Sequence, residues 1–163
     1  MKKEDVKILI VDDEDSIRQT FEMFLKREGY GTVLTTSTME KARELLSSGS
    51  FDLIISDIVL EGAKGTDLLR RIREAGILCP VVMITGFPNL DSAAECVRHG
   101  AFDYIAKPVN KETLLRFTRQ ALNHWDLENR TRALQKENER YRRYLETIFR
   151  SVSDAIITID PNM

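Results

Sequence analysis

Residues 7–122 alternate between two sequence patterns, and this alternation strongly limits the folds that the chain can adopt. Short apolar runs rich in β-forming residues occur five times, as VKILIV, GTVLTT, FDLIIS, PVVMIT and AFDYIA. Each is followed by a segment whose apolar residues recur at helical spacing. Five strand-helix units in strict alternation predict an α/β fold with a parallel sheet covered by helices on both faces.

The predicted sheet is doubly wound and five-stranded, with the strand order 2-1-3-4-5. The cores of the first, third and fourth runs are apolar throughout, as expected of strands buried on both faces. A closed eightfold barrel needs roughly twice this length. Ser37 and Glu40 have capping-box spacing at the start of the second helix, and Asn110 is the predicted N-cap of the fifth.

Composition excludes several classes of protein. The formal net charge is only -2, so no basic field favours contact of this segment with nucleic acid. No apolar run approaches the ~18 residues needed to span a bilayer, so we expect no membrane association. Cys79 and Cys96 fit no metal-binding or redox spacing. They are predicted to be small buried side chains in a reducing compartment, and the protein is predicted to be cytoplasmic.

Residues 124–150 lack glycine and proline and form a predicted helical linker after a domain at 1–123. Apolar residues recur there every seven positions, at Leu127, Leu134, Tyr141 and Ile148. A second series follows four positions later, at Thr131, Asn138, Leu145 and Val152. Taken as d and a positions, these series predict a coiled-coil seam, and an asparagine at a favours a parallel, in-register homodimer. A single amphipathic helix packed on its own domain is the alternative.

Residues 151–163 have a different pattern. The stretch AIITID alternates like a strand and is followed by the turn signal DPN. An isolated strand has no stability of its own. We therefore predict that residues 151–163 begin a further domain, with a strand over residues 155–160.

Polar residues that could carry chemistry follow four of the predicted strands. They are Asp12 and Asp13 after the first strand, Asp57 after the third, Thr85 after the fourth and Lys107 after the fifth. The carboxyl ends of the strands are where this architecture places its ligands, and strands 1 and 3 are neighbours in it. One aspartate in such a place is commonly a helix N-cap, as Asp13 or Asp15 could be. Five such residues at matching ends predict a site.

The residue types in this site favour phosphoryl transfer. Three carboxylates in one pocket repel one another, so they need compensating cations. A few oxygen ligands supplemented by waters suit Mg²⁺. Asp57 is the predicted nucleophile, Asp12 and Asp13 are predicted to hold the metal, and Lys107 and Thr85 are predicted to contact phosphoryl oxygens.

The stretches ILIVDDE, LIISDIVLEGAKG, MITG and FDYIAKP resemble the receiver domain of two-component response regulators. The resemblance implies a flavodoxin-like fold, Mg²⁺ as cofactor, and phosphorylation of Asp57 by a histidine kinase or a phosphotransfer protein. It also implies that the Val59 carbonyl completes the metal site and that the Lys107-Pro108 bond is cis. Thr85 and Tyr104 match the pair that moves when the aspartate is phosphorylated. Such a receiver catalyses its own phosphorylation and dephosphorylation, without being a separate turnover enzyme.

The chain departs from the family in the loop after the phosphoacceptor. Glu61 replaces the usual proline and Lys64 the usual acid, whereas Gly65 is kept. Val59 and Phe87 lie where the family varies the residues that control access of water. Because both are apolar, we expect slow autodephosphorylation.

The C-terminal stretch ERYRRYLETIFRSVSDAIITIDPN resembles the beginning of a PAS domain. The output is then most simply transcription activation, because GAFDYIAKP is similar to receivers of enhancer-binding activators. Two alternatives remain. The receiver could belong to a hybrid histidine kinase or a cyclic-dinucleotide synthase, or it could be a phosphate-independent dimerisation module.

Overall fold

The structure is a computed structural model that describes the backbone of residues 1–60 and 63–159, and the side chains of residues 1–60 and 64–151. The chain falls into two compact units, Met1–Trp125 and Asp126–Met163. The first unit ends two residues beyond the predicted boundary at residue 123, because Trp125 still packs against the core of this unit.

A five-stranded parallel sheet forms the centre of the first unit. Its strands are β1 (Lys7–Val11), β2 (Thr32–Thr36), β3 (Leu53–Asp57), β4 (Val81–Thr85) and β5 (Asp103–Ala106). They lie in the order β2-β1-β3-β4-β5, and every pairing is parallel. The predicted doubly wound topology is therefore confirmed. Two-residue strands, Val59–Leu60 and Ala63–Lys64, form a separate antiparallel pair after β3.

Four helices connect consecutive strands of the sheet, and a fifth follows the last strand. They are α1 (Asp15–Arg27), α2 (Met39–Ser48), α3 (Gly65–Glu74), α4 (Leu90–Arg98) and α5 (Lys111–Ile159), and a short 3-10 helix (Lys3–Asp5) precedes β1. Asn110 caps α5 as predicted, with Oδ1 accepting the Thr113 N–H at 2.8 Å. The predicted cap of α2 is wrong by one residue. The hydroxyl that accepts there belongs to Thr38, which takes the Lys41 N–H at 3.3 Å in place of Ser37.

Two hydrophobic clusters form the core, one on each face of the sheet. Along β1, Ile8 and Ile10 belong to one cluster, whereas Leu9 and Val11 belong to the other. This alternation follows from the two-residue period of a strand, and it explains why the strand is apolar throughout. Cys79 and Cys96 are buried and unpaired in the second cluster, as predicted. Burial raises the pKa of each thiol to about 11.

Helix α5 is long because it continues beyond the first unit. Its first turns bury Leu114, Leu115, Ala121 and Leu122. Its later part, from Asp126 onward, forms the described portion of the second unit. None of the described helices is both long and apolar enough to cross a membrane.

The strand predicted over residues 155–160 is wrong for the part that the structure describes. Helix α5 runs to Ile159, and residues 160–163 lie outside the described residues. The reason is local, because an unpaired strand leaves its backbone groups without partners, whereas a helix satisfies them within the segment.

Candidate functional site

The carboxyl ends of β1, β3, β4 and β5 bring the predicted residues to one edge of the sheet. Val11, at the end of β1, is level with Ser56 of β3, and Asp57 is level with Ile84 of β4. The residues predicted from the sequence therefore lie at the ends of their strands, as Asp57 and Thr85 do, or directly after them, at nearly the same height.

Three carboxylates converge at this edge. Asp12, Asp13 and Asp57 each offer one oxygen, and these oxygens lie within 4.8 Å of one another. Asp12 and Asp57 are buried, whereas Asp13 is not. The predicted grouping of the three aspartates is therefore present in the folded chain.

The ammonium of Lys107 lies among these carboxylates. Its Nζ is 2.6 Å from Oδ2 of Asp57, 3.0 Å from Oδ2 of Asp12 and 2.8 Å from Oε1 of Glu14. Burial disfavours the charged amine, but the hydrogen bonds to Asp57, Glu14 and Asp12 outweigh this effect and raise the pKa of Lys107 above its ordinary value. The lysine is a fixed cation of the site, with only 13% of its side chain exposed.

Asp12 is a buried carboxylate of the site. Loss of hydration raises its pKa above the ordinary value, although the Glu14 N–H and Lys107 both act to lower it. Oδ1 of Asp12 accepts the Glu14 N–H at 2.9 Å, and Arg18 donates to the backbone carbonyl of Asp12. The loop after β1 is thus held by contacts to both its backbone and its side chain.

Asp57 is held in a single orientation by two donors. Oδ1 accepts the Val59 N–H at 2.9 Å, and Oδ2 accepts the Lys107 ammonium. Its backbone is fixed by Gly65, because a Cβ at that position would come within 1.9 Å of the Asp57 carbonyl oxygen. Only glycine permits this approach of α3 to the end of β3.

Thr85 and Tyr104 lie on neighbouring strands, and each already has a hydrogen-bond partner. The buried Thr85 hydroxyl accepts the Phe87 N–H at 3.1 Å, and the Thr85 carbonyl accepts the Lys107 N–H at 2.7 Å. The Tyr104 hydroxyl lies 2.9 Å from Ser92 Oγ and accepts the Asn89 N–H at 3.3 Å. Tyr104 is therefore tied to the first turn of α4.

Comparison with known proteins identifies the family. Residues 8–119 match the response regulator receiver domain, which covers more than half of the chain and all the residues that converge at the sheet edge. The chain belongs to the response regulator receiver family. The Lys107-Pro108 bond is cis, as the resemblance of the sequence to this family implied.

Curated relatives of this receiver include transcription regulators. It is 39% identical over 116 residues to response regulator protein PilR of Pseudomonas aeruginosa, and 32% identical over 131 residues to DNA-binding transcriptional regulator NtrC of Escherichia coli. These alignments cover 71% and 78% of this chain, but only 26% and 27% of the relatives. The chain thus spans about a quarter of the length of these two proteins.

Solved structures agree with the fold. A CheY-like receiver domain protein from Methanospirillum hungatei gives a TM-score of 0.72 at 31% identity, over 76% of this chain and 98% of that one. NtrX from Brucella abortus gives 0.73 at 32% identity, over 78% of this chain and 29% of that one. The beryllofluoride-activated NtrC4 receiver domain, solved as a dimer, gives 0.69 at 28% identity, over 73% of this chain and 98% of that one.

The acidic edge of the receiver has a donor set that fits Mg²⁺. It offers carboxylate oxygens from Asp12, Asp13 and Asp57, which a small hard cation prefers, and too few of them for an all-protein Ca²⁺ cage. The role of the Val59 carbonyl as a further ligand stays a prediction.

Two groups of residues at the site were not singled out from the sequence. Glu14 pairs with Lys107, and its signal was the third acid of the DDE run. Ser92 and Asn89 hold the Tyr104 hydroxyl, but nothing in their spacing indicates that contact, because it depends on how α4 packs on β5. Val59 and Phe87 are exposed, and their control of water access to the site stays a prediction.

Proposed function

We propose that this receiver accepts a phosphoryl group on Asp57 from a histidine kinase or a phosphotransfer protein and passes its state to an output through a dimeric helix. One observation carries the proposal. The Lys107 ammonium contacts Asp57 at 2.6 Å inside a cluster of three aspartates. A merely structural carboxylate at a strand end would need neither the lysine nor the two further acids.

The chemistry follows from the contacts of Asp57. The carboxylate attacks phosphorus and forms an O–P bond, while the P–N bond of a phosphohistidine donor breaks and its electron pair stays on the imidazole. Val59 N–H keeps Oδ1 in place, which leaves Oδ2 as the attacking atom. Lys107 and the Thr85 hydroxyl then bind phosphoryl oxygens. Mg²⁺, held by Asp12, Asp13, Asp57 and the Val59 carbonyl, would supply further positive charge at these oxygens.

The same groups make the receiver a catalyst of its own modification and its reversal. Water attacks the phosphorus of the aspartyl phosphate and releases inorganic phosphate, which returns Asp57 to its carboxylate form. Val59 and Phe87, both exposed and apolar, restrict the approach of that water. No second substrate and no separate turnover reaction are required of this segment.

Phosphorylation would change the contacts of two side chains. The Thr85 hydroxyl exchanges its bond with the Phe87 N–H for one with the phosphoryl group. Tyr104 then turns inward and gives up its bonds to Ser92 and Asn89. The first turn of α4 thereby loses two of its tertiary hydrogen bonds, which gives the receiver two alternative arrangements for an output to read.

The output is transmitted, on this proposal, by a homodimer of the helix over residues 124–150. Leu127, Leu134, Tyr141, Leu145 and Ile148 are all exposed in the single chain, and Asn138 lies on the same stripe. Residues 151–163 would begin a PAS-like domain. The protein would be cytoplasmic, with this segment contacting neither membrane nor nucleic acid.

Transcription activation is the output that the relatives favour, because PilR is named a response regulator protein and NtrC a DNA-binding transcriptional regulator. A hybrid histidine kinase or a cyclic-dinucleotide synthase is the alternative. The full-length sequence distinguishes them. An activator needs an ATPase P-loop and a helix-turn-helix, a kinase needs an H-box and an ATP-binding lobe, and a synthase needs a cyclase motif.

Phosphorylation is tested by incubating the chain with a small acyl phosphate and Mg²⁺ and measuring its intact mass. We expect a gain of one phosphoryl group in the wild type and in Asp91→Ala, an exposed control on α4. Asp57→Ala should gain nothing. An unmodified wild type would overturn the assignment and favour a phosphate-independent dimerisation module.

A further inference from the structure

Beyond Trp125, helix α5 exposes more large apolar side chains toward its C-terminal end than toward its N-terminal end. We call residues 126–136 its proximal half and residues 137–149 its distal half. The proximal half exposes two large apolar side chains, those of Leu127 and Leu134. The distal half exposes five within nine residues, which are Tyr141, Tyr144, Leu145, Ile148 and Phe149.

Two of the distal residues lie beside the seam and not in it. Leu145 is an a residue of the seam, so Tyr144 before it is a g residue. Ile148 is a d residue, so Phe149 after it is an e residue. They are 61% and 69% exposed. In a parallel, in-register pair of helices a g residue faces the e residue five positions later in the partner. Tyr144 of each copy then faces Phe149 of the other.

The preceding heptad places opposite charges in the same relationship. Glu137 is a g residue and Arg142 is the e residue five positions later. Within the chain, Arg142 reaches Glu146 at 3.2 Å, but 83% and 61% of these two side chains are exposed. So exposed a pair is weak and leaves Arg142 available to a second partner. Glu137 forms no ion pair with any residue that the structure describes.

The proximal half offers no matching interaction. Arg130 at g would face the neutral Gln135, so these two positions offer no pair of opposite charges. Thr131 at an a position donates its hydroxyl to the Leu127 carbonyl at 3.0 Å within its own helix. The e and g residues of the proximal half therefore provide no ion pair or aromatic contact that would favour one partner over another.

We infer that a second copy of this chain is held mainly by the distal half, in parallel and in register, through reciprocal Glu137–Arg142 ion pairs and reciprocal Tyr144–Phe149 aromatic contacts. The inference rests on the proposed homodimer and assigns its binding energy to one end of the helix. A slip of one heptad sets Arg130 against Arg142 along one flank and separates the two Asn138 side chains. The proximal half is then the part free to change its separation when the receiver changes state.

Orientation is tested by cysteine cross-linking of the full chain with two separate variants in the distal half, Tyr141→Cys and Ile148→Cys. These positions are about 11 Å apart along the helix at 1.5 Å per residue. A parallel, in-register dimer forms a disulfide at both, whereas an antiparallel pair aligned on residue 141 separates the two residues 148 by about 21 Å. Arg143→Cys, on the outer face of the distal half, is the matched control and should not cross-link. Cross-linking of only one of the two seam variants overturns the parallel arrangement.

The flank contacts are tested by the dimer dissociation constant, measured by sedimentation. Glu137→Arg and Arg142→Glu should each weaken the dimer roughly tenfold, and the double variant should restore it, because two ion pairs become two repulsive pairs and then two reversed pairs. Tyr144→Ala should also weaken it. Arg130→Ala, at the proximal g position, and Arg143→Glu, on the outer face, should leave it within about twofold. No recovery in the double variant would overturn the ion pairing.

Failure of this inference is distinguishable from failure of the proposed function. Intact mass after treatment with acyl phosphate reports on Asp57 alone, and none of the helix variants should change it. A chain that is monomeric at every concentration overturns both the homodimer and the distal contacts. A dimer whose stability depends on Arg130 and not on Glu137 or Tyr144 overturns only the assignment to the distal half.

Discussion

Lys107 Nζ lies 2.6 Å from Oδ2 of Asp57, although fifty residues separate the two in the sequence. The contact unites the ends of β3 and β5, which are separated in the sheet by β4. A lysine at the end of a strand ordinarily turns toward water. Here it is directed into the site by its position after β5 and by three carboxylate partners.

Lys107→Ala should keep the fold but slow phosphorylation of Asp57 and uncouple it from any change in the dimer. On the proposed function, the variant removes the cation that binds phosphoryl oxygens, while Asp12, Asp13 and Asp57 stay in place. Phosphorylation is followed by intact mass, and the dimer by sedimentation with and without phosphodonor. Lys111→Ala, an exposed lysine at the start of α5, is the control. A Lys107→Ala protein that switches like the wild type contradicts this role.

Asp12→Asn should raise the urea midpoint of the metal-free receiver at neutral pH. Burial raises the pKa of Asp12, so the native state binds a proton more tightly than the unfolded chain does. Stability therefore falls as the pH rises above the ordinary value of 3.8, and the penalty stays at neutral pH. The variant should lose this part of the pH dependence, whereas Asp91→Asn should keep it. A urea midpoint for Asp12→Asn below that of the wild type at pH 7 contradicts the expected direction of this effect.

Gly65→Ala should destabilise the receiver by about 1–3 kcal/mol, the usual cost of overpacking. The added methyl would lie 1.9 Å from the Asp57 carbonyl oxygen, so either α3 or the end of β3 has to move. Gly86→Ala is the matched control, since a Cβ there meets nothing within 4 Å. Urea denaturation compares the two variants. Equal midpoints would show that the close approach is unimportant.

Phe87→Ala should shorten the lifetime of the aspartyl phosphate. The Phe87 side chain is 77% exposed beside Thr85, and removal of the ring opens a path for water to the phosphorus. The lifetime is measured by loss of the phosphoryl mass after the donor is removed. Leu78→Ala, which removes an exposed apolar side chain that follows none of the site strands, should have no effect. A half-life of seconds for the aspartyl phosphate of the wild type would contradict slow autodephosphorylation.

Ser92→Ala should release the Tyr104 hydroxyl and favour the activated arrangement before phosphorylation. The lost hydrogen bond of 2.9 Å is worth about 0.5–1.5 kcal/mol, enough to shift a two-state equilibrium several-fold. Trp125, the single tryptophan, packs against the same core cluster as Tyr104, so its fluorescence reports the change. The emission of the variant should move part-way toward that of the beryllofluoride-treated wild type. An emission identical to that of the untreated wild type argues against the coupling.

The sheet and the acidic edge were predictable because both depend on local patterns and one rule of topology. Apolar runs located the strands, and the strand order then brought Asp12, Asp57 and Lys107 together. The contacts of Tyr104 were not predictable, since they depend on the packing of α4. The strand expected at residues 155–160 failed because alternation alone does not supply a neighbouring strand.

Because residue 65 has no side chain, α3 packs closely against the end of β3 on one side of the site. The other side of the site is formed by Thr85, Tyr104 and α4. The backbone of Gly65 lies against the end of β3, where a Cβ would meet the Asp57 carbonyl oxygen at 1.9 Å and the Gly65 N–H donates to the Ile58 carbonyl at 2.7 Å, so α3 is held closely to the strand that carries Asp57. On the proposed function, we expect the displacement that phosphorylation produces to involve the opposite side of the site, through Thr85 and Tyr104 to α4. The packing of the unphosphorylated receiver therefore already favours a conformational change toward α4 over one toward α3.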